Sequence, residues 1–127
     1  MGRSIAYTWP MTRRGSSWFW SIVSASFVVG ALFHLYRMLA VLAADTSPLW
    51  RHALFAAINL GAAWGCWRQP RWFIWVFGLL LLQQLYSHGG DFVQAWPERV
   101  DWRSLLVLVG MPIVALALWR RRRLETR

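Results

Sequence analysis

Apolar side chains in this chain fall into four blocks, Trp18 to Ala44, Leu49 to Trp67, Trp72 to Tyr86 and Leu105 to Trp119, and most charged residues lie in the intervals between them. A helix needs about 17–25 mostly apolar residues to cross the roughly 30 Å hydrocarbon layer of a bilayer. The first two blocks reach that length unaided, and the last two reach it with their amphipathic ends. The pattern predicts an all-α integral membrane four-helix bundle, a single membrane domain over residues 1–127 with spans at about 17–44, 48–68, 70–88 and 102–122.

Punctuation between the blocks refines the threading. Ser47-Pro48 and Gln69-Pro70 each read as an N-cap followed by a first helical residue. The second pair leaves so little chain between spans two and three that a tight antiparallel hairpin is expected. His52 and His88 are equidistant in sequence from Pro70, so this hairpin would put them level. Gly89-Gly90 is expected to end span three, because glycine enters the left-handed cap conformation without steric cost. Asp101 is the expected N-cap of span four, and Gly110 with Pro112 should kink that span near its middle, where proline frees a carbonyl.

With 57% apolar and 15% charged residues, the chain lies far from the balance of an ordinary soluble domain. Its net charge of +9 comes from arginine without a single lysine, and the arginines are sorted by topology. Arg3, Arg13, Arg14, Arg68, Arg71, Arg120 to Arg123 and Arg127 fall on one side of a four-span threading, with Glu125 as their sole acidic neighbour in sequence. Arg51, Arg99 and Arg103 share the other side with Asp45, Asp91, Glu98 and Asp101. The positive-inside rule therefore puts both termini in the cytoplasm, and the arginine-only usage points to a bacterial inner membrane. This distribution argues against a nucleic-acid partner, and Arg120 to Arg123 read as a tail attracted to anionic lipid.

Thr12-Arg13-Arg14 and Leu42-Ala43-Ala44 bracket the first block in the outline of a cleaved leader. The block is too long for a leader's core and carries His34 and Arg37, so it is read as a retained span. Cys66 is the only cysteine and can form no internal disulfide. The 11 tryptophans fall largely at expected span ends, the arrangement of interfacial aromatic belts.

Ala53, Ala57, Gly61 and Gly65 recur every four residues in span two, a stripe of small side chains that lets helix backbones pack closely. Polar groups gather toward the outer ends of the spans: His34 and Arg37 in the first, His52 in the second, Gln84, His88 and Asp91 in the third. Such groups are costly to expose to lipid, so they are expected to converge, as a ligand pocket or as a polar cluster that sets helix register. His52 and His88 are the candidate metal pair, with Asp91 as a third ligand or as a carboxylate that orients one of the histidines from behind. A quinone-type head group held by His, Gln and Arg donors is the other candidate cofactor. Haem fits less well, because a tight hairpin leaves no room for a macrocycle between His52 and His88. No nucleophile stands in a catalytic arrangement: Ser87 and His88 are sequence neighbours, and neighbouring helical side chains diverge.

Two functions follow from these patterns. The first is a small non-catalytic subunit or interaction partner, as a homo-oligomer or with other membrane subunits, in a larger inner-membrane assembly of respiratory or photosynthetic type. The second is a ligand-handling protein, whose outer His/Arg/Gln/Asp pocket holds a metal, a quinone or another small head group for redox chemistry or transfer.

Overall fold

The computed structural model describes residues 17–40 and 48–125. Among the described residues are four α-helices and no strands: α1 (Ser17–Ala40), α2 (Leu49–Arg68), α3 (Phe73–Ala95) and α4 (Trp102–Glu125). The proposed cap Ser47, the leader-like Thr12 and Leu42 to Ala44, Asp45, Trp9, and the arginines Arg3, Arg13, Arg14 and Arg127 lie outside the described residues.

Two helices are long and apolar enough to cross a membrane, over Trp18–Leu39 in α1 and Trp102–Leu124 in α4, with 17% and 22% of their most apolar stretches buried by the rest of the chain. Those fractions are low for the core helix of a soluble domain, which hides most of its apolar side chains. In α2 and α3 the apolar run is diluted by Arg51, His52 and Asn59 and by Gln83, Gln84 and His88.

The helix ends depart from the expected punctuation in two places. Gln69 does not open α3. It closes α2 in the left-handed conformation (φ 51°, ψ 49°), its N–H donating to the Gly65 carbonyl, and α3 starts only at Phe73, after Trp72. The residue before a proline is pushed out of the right-handed helical region, so Gln69 ends one helix rather than beginning the next. Nor does Gly89-Gly90 end α3: the helix runs through both glycines to Ala95, and no described glycine has positive φ. Glycine permits a left-handed cap without demanding one, and its cost inside a helix, roughly 1 kcal/mol per residue, is small enough for context to override. The stop comes instead at Trp96, extended before Pro97, which can donate no further helical hydrogen bond. Farther along, α4 continues unbroken through Gly110 and Pro112.

All four helices meet at one end of the molecule. The buried cluster there takes Trp20 from α1, Cys66 from α2, Phe73 and Phe77 from α3, and Met111, Val114 and Leu118 from α4. Each comes from the part of its helix near the α2–α3 turn or matched to it by chain reversal. Phe77 is fully buried, edge-on to Phe27 of α1 at 6.1 Å and to Phe73 at 5.7 Å between ring centroids. Away from this cluster the close packing is pairwise, α1 on α2 and α3 on α4. The tight packing expected along the α2–α3 hairpin is therefore not what is found. The Phe73 ring stands in the notch left by the missing side chain of Gly65, and α2 and α3 diverge from it around an apolar groove of about 560 Å³.

The small-residue stripe is divided accordingly. Gly65 is buried under Phe73, whereas Ala53, Ala57 and Gly61 face outward. The face of α2 that packs on α1 is a different one, carrying His52, Ala56, Asn59 and Ala63, and it comes close at Gly30, where an added Cβ would come within 2.7 Å of Asn59 Oδ1. A methyl group added at Gly65 would overlap the Phe73 ring, while one added at Gly61 meets nothing within 4 Å. Gly65→Ala should therefore lower stability by about 1–3 kcal/mol, the usual cost of overpacking, and Gly61→Ala should be neutral or slightly stabilising through helix propensity. Thermal unfolding of the two variants in the same detergent checks this, and equal effects would exclude the Phe73 wedge.

Candidate functional site

The polar residues singled out in the sequence divide between the two helix pairs. His34 of α1 and His52 of α2 meet through their Nδ1 atoms at 3.3 Å, with ring centroids 5.6 Å apart. His52 is buried and His34 half-buried, so the pair is reached from the α1 side. The His34 ring also stacks on Phe55, one turn along α2 from His52, at 5.2 Å and 20°. The Arg51 guanidinium stands over the Phe55 ring, 5.9 Å from its centroid. Both histidines are thus pinned, one by burial against α1 and the other by stacking. Arg37 lies one turn beyond His34 and is half-buried.

Two Nδ1 atoms in contact constrain the tautomers. One imidazole must carry its proton on Nδ1 and the other must present a lone pair there. A second proton at this contact would set two donors against each other, so the junction holds one proton. Alternatively, the two lone pairs can share a cation: Zn–N bonds of about 2.0–2.1 Å in a tetrahedral site place two nitrogens about 3.3–3.4 Å apart. A haem macrocycle cannot pass between rings this close.

On the other pair, His88 of α3 meets α4 rather than His52. Its Nδ1 lies 3.0 Å from Ser104 Oγ, and Ser104 Oγ donates to Asp101 Oδ2 at 2.7 Å. Because the hydroxyl has one hydrogen and gives it to the carboxylate, His88 Nδ1–H must be the donor to Ser104. The neutral ring then has its lone pair on Nε2. Ser104 is 1% exposed and its proton is committed to Asp101, the reverse of what an activated nucleophile requires. The arrangement instead holds the imidazole in one tautomer and satisfies a buried hydroxyl from both sides.

Asp101 performs the capping role expected of it. Its Oδ1 accepts from the N–H groups of Arg103 at 3.2 Å and Ser104 at 3.4 Å, and its carbonyl accepts the first helical bond, from Leu105. The Ser104 hydroxyl does most to hold the Asp101 carboxyl below its ordinary value of 3.8; desolvation opposes it, and the N–H groups of Ser104 and Arg103 and the Arg103 charge add smaller lowering contributions. Gln84, expected beside the histidines, donates to Gln83 at 3.0 Å. Asp91 lines an open polar hollow of about 600 Å³ with Gln94, Glu98, Arg99 and Asp101.

His52, expected level with His88, lies against His34 instead, and His88 against Ser104, because α2 packs on α1 and α3 on α4. Among the described residues, no three or more His, Cys, Asp or Glu side chains are grouped so as to hold a metal ion. Three participants were not legible in the sequence reading: Phe55, Ser104 and the Gly30–Asn59 contact. For Ser104 a signal exists, since it stands three residues after a capping aspartate, at the position whose side chain can turn back toward the cap. Searches against protein-family models, curated proteins and solved structures find no match to this chain.

A group whose pKa is lower folded than unfolded stabilises the fold above its unfolded value, and that contribution is lost as pH falls through the folded value. The stability of the native chain should therefore decline as pH is taken from about 5 toward 2, and Asp101→Asn should flatten that part of the profile while keeping most of the cap. Ser104→Ala should cost about 1–3 kcal/mol at neutral pH by stranding His88 Nδ1–H. Unfolding midpoints measured against pH test both.

Proposed function

We propose that this chain is a small, non-catalytic, multi-pass protein of a bacterial inner membrane, with four spans and both termini in the cytoplasm, that packs as a subunit against other membrane helices. The observation that carries this reading is the open apolar groove between α2 and α3, walled by Leu54, Ile58, Trp64, Val76 and Leu80 with Gly61 and Ala62 between them. Small residues in an apolar recess suit the approach of a neighbouring helix, because in lipid close packing takes the place of the hydrophobic drive that water supplies. The exposed surface supports immersion in lipid. Leu32, Leu39, Leu54, Leu79, Leu82 and Leu106 all face outward, and Trp20 alone among the described tryptophans is buried. Exposed indoles at helix ends suit the two interfaces of a bilayer. The arginine bias supports a cytoplasmic side for the α2–α3 turn and the end of α4.

Under this reading the chain stays with the membrane pellet in alkaline carbonate, and reporter domains fused to either terminus are active only in the cytoplasm. Gly61→Leu, in open space on the chain itself, should abolish stoichiometric co-purification in mild detergent while leaving the unfolding midpoint within about 2 °C of wild type. Co-purification that survives Gly61→Leu would sink the groove as the subunit contact, and recovery in the soluble fraction would sink the membrane assignment.

The His34–His52 contact favours a second reading, a ligand-handling protein whose outer polar region binds a metal ion. His34 and His52 would supply two nitrogens, and solvent or a ligand the remaining positions, the open coordination of a site that exchanges or activates what it binds. Cobalt(II) added to purified protein should then give a tetrahedral visible spectrum that His34→Ala or His52→Ala abolishes and His88→Ala preserves. Absence of stoichiometric cobalt and zinc binding would remove this reading and leave the pair as a helix-register contact.

A further inference from the structure

The outer face of α3 carries a pattern that contact with lipid alone does not account for. Val76, Leu79, Gln83, Tyr86, Gly90 and Val93 are all exposed, and they follow one another in alternating steps of three and four residues. That is the 3.5-residue repeat of a left-handed helix–helix seam. Val76 and Gln83 also line the α2–α3 groove, so the seam runs along its α3 rim. At the centre of the seam stands a polar residue. From the start of α3 at Phe73 to Gln83 the helix rises about 15 Å at 1.5 Å per residue, which in a membrane-spanning α3 is the middle of a hydrocarbon layer roughly 30 Å thick. Gln83 Oε1 accepts a hydrogen bond from Gln84 Nε2 at 3.0 Å, a contact between sequence neighbours that leaves the Gln83 N–H groups unused among the described residues. In hydrocarbon an amide N–H without an acceptor is costly, and an acceptor on a neighbouring helix relieves the cost.

We propose that this seam pairs α3 with α3 of a second copy of the chain, an assignment that rests on the membrane and subunit reading above and names the subunit's partner. Copies inserted in the same orientation are related by a two-fold axis normal to the bilayer, so every residue of α3 lies level with its own equivalent. A seam that faces itself therefore sets Gln83 against Gln83. The primary amide is complementary to itself: it donates through nitrogen, and its oxygen, with one lone pair given to Gln84, keeps the other. Two such amides form reciprocal hydrogen bonds, whereas a lipid chain or a wholly apolar helix leaves the donors unmet. One turn farther along, Tyr86 is 88% exposed and brings a hydroxyl that can join the pair. Beyond it Gly90, where an added Cβ would meet nothing within 4 Å, lets the two backbones close together. A single polar position in an otherwise apolar seam also fixes register and the number of helices that associate. Because the seam rims the groove, the second α3 closes the groove from that side.

Sedimentation equilibrium of the full chain in density-matched detergent reads the monomer–dimer balance. The wild type should dimerise, and Gln83→Leu should weaken the dimer about tenfold through the loss of two interhelical hydrogen bonds. Gln83→Asn keeps an amide and should recover most of that loss. Ser26→Ala, which removes an exposed hydroxyl from α1, should change nothing. In membranes, oxidation of Leu79→Cys should give a disulfide-linked dimer, while Leu106→Cys, comparably exposed on α4, should not. Cys66 is buried and common to both variants, so it does not contribute to the difference. A monomeric wild type, a Gln83→Leu dimer as tight as that of Ser26→Ala, or equal cross-linking at the two positions would overturn the seam. A monomeric chain that still co-purifies with a different membrane protein, and loses it on Gly61→Leu, contradicts only the second copy and leaves the subunit reading standing. Recovery in the soluble fraction overturns both.

Discussion

The seating of Phe73 against Gly65 governs the layout of the whole molecule. The turn between α2 and α3 is short enough to force the helices side by side, but the first helical residue after it is a phenylalanine whose ring enters the space of the missing Gly65 side chain. A ring there holds the two helices together at one point and keeps their backbones apart beyond it. Three consequences follow: the buried cluster forms where all four helices are near the turn, the α2–α3 groove opens, and each outer half finds its partner in the helix on its other side.

The two polar centres are products of that pairing. An imidazole on α2 meets one on α1, and an imidazole on α3 meets a hydroxyl and carboxylate at the start of α4. Each centre sits at a helix–helix contact, where its polar atoms can find partners and where its geometry fixes the relative rotation of two helices. The centres nevertheless differ in chemical potential. Ser104 is enclosed by Asp101 and His88 with its proton assigned, a satisfied network that rigidifies α3 against α4. The His34–His52 junction is symmetric at the two nitrogens, so it can exchange a shared proton for a cation without moving either ring far. The first is a closed network, and the second sets two ring nitrogens directly against each other.

Charge and apolar surface divide the molecule along its length in the same sense. The end with the shared core also carries Arg71, Arg121 and Arg122, so buried packing lies beneath a positively charged surface there. Phe73, Phe77, Leu118 and Val114 fix the α3–α4 crossing there, and that crossing brings Arg71 to Arg121 and Arg122. At the other end, Asp91, Glu98 and Asp101 share an open polar hollow with Arg99, and among the described residues the close packing there is pairwise. The protein is therefore joined at one end and divided at the other, with the apolar α2–α3 groove between the two helix pairs.

Local order was legible from sequence wherever short-range physics decides it. Four helices follow from the four apolar blocks, the α4 cap follows from Asp101 and the nearby N–H groups it can reach, and an arginine-rich side follows from counting charges along the chain. The sequence also determined which face of α2 is polar, since His52 and Asn59 share it by helical spacing. It could not determine which neighbour that face meets. Equal distance from Pro70 made His88 the natural partner of His52, but sequence distance ignores the width of the side chain lodged in the turn and the rotation of each helix about its axis. Gly89-Gly90 shows the same limit at smaller scale, because a glycine pair only lowers the cost of stopping, and α3 continues to Pro97. Tertiary structure alone decided these outcomes: a rotation of a few tens of degrees or one ring between two helices costs little locally, yet it exchanges every partner farther along.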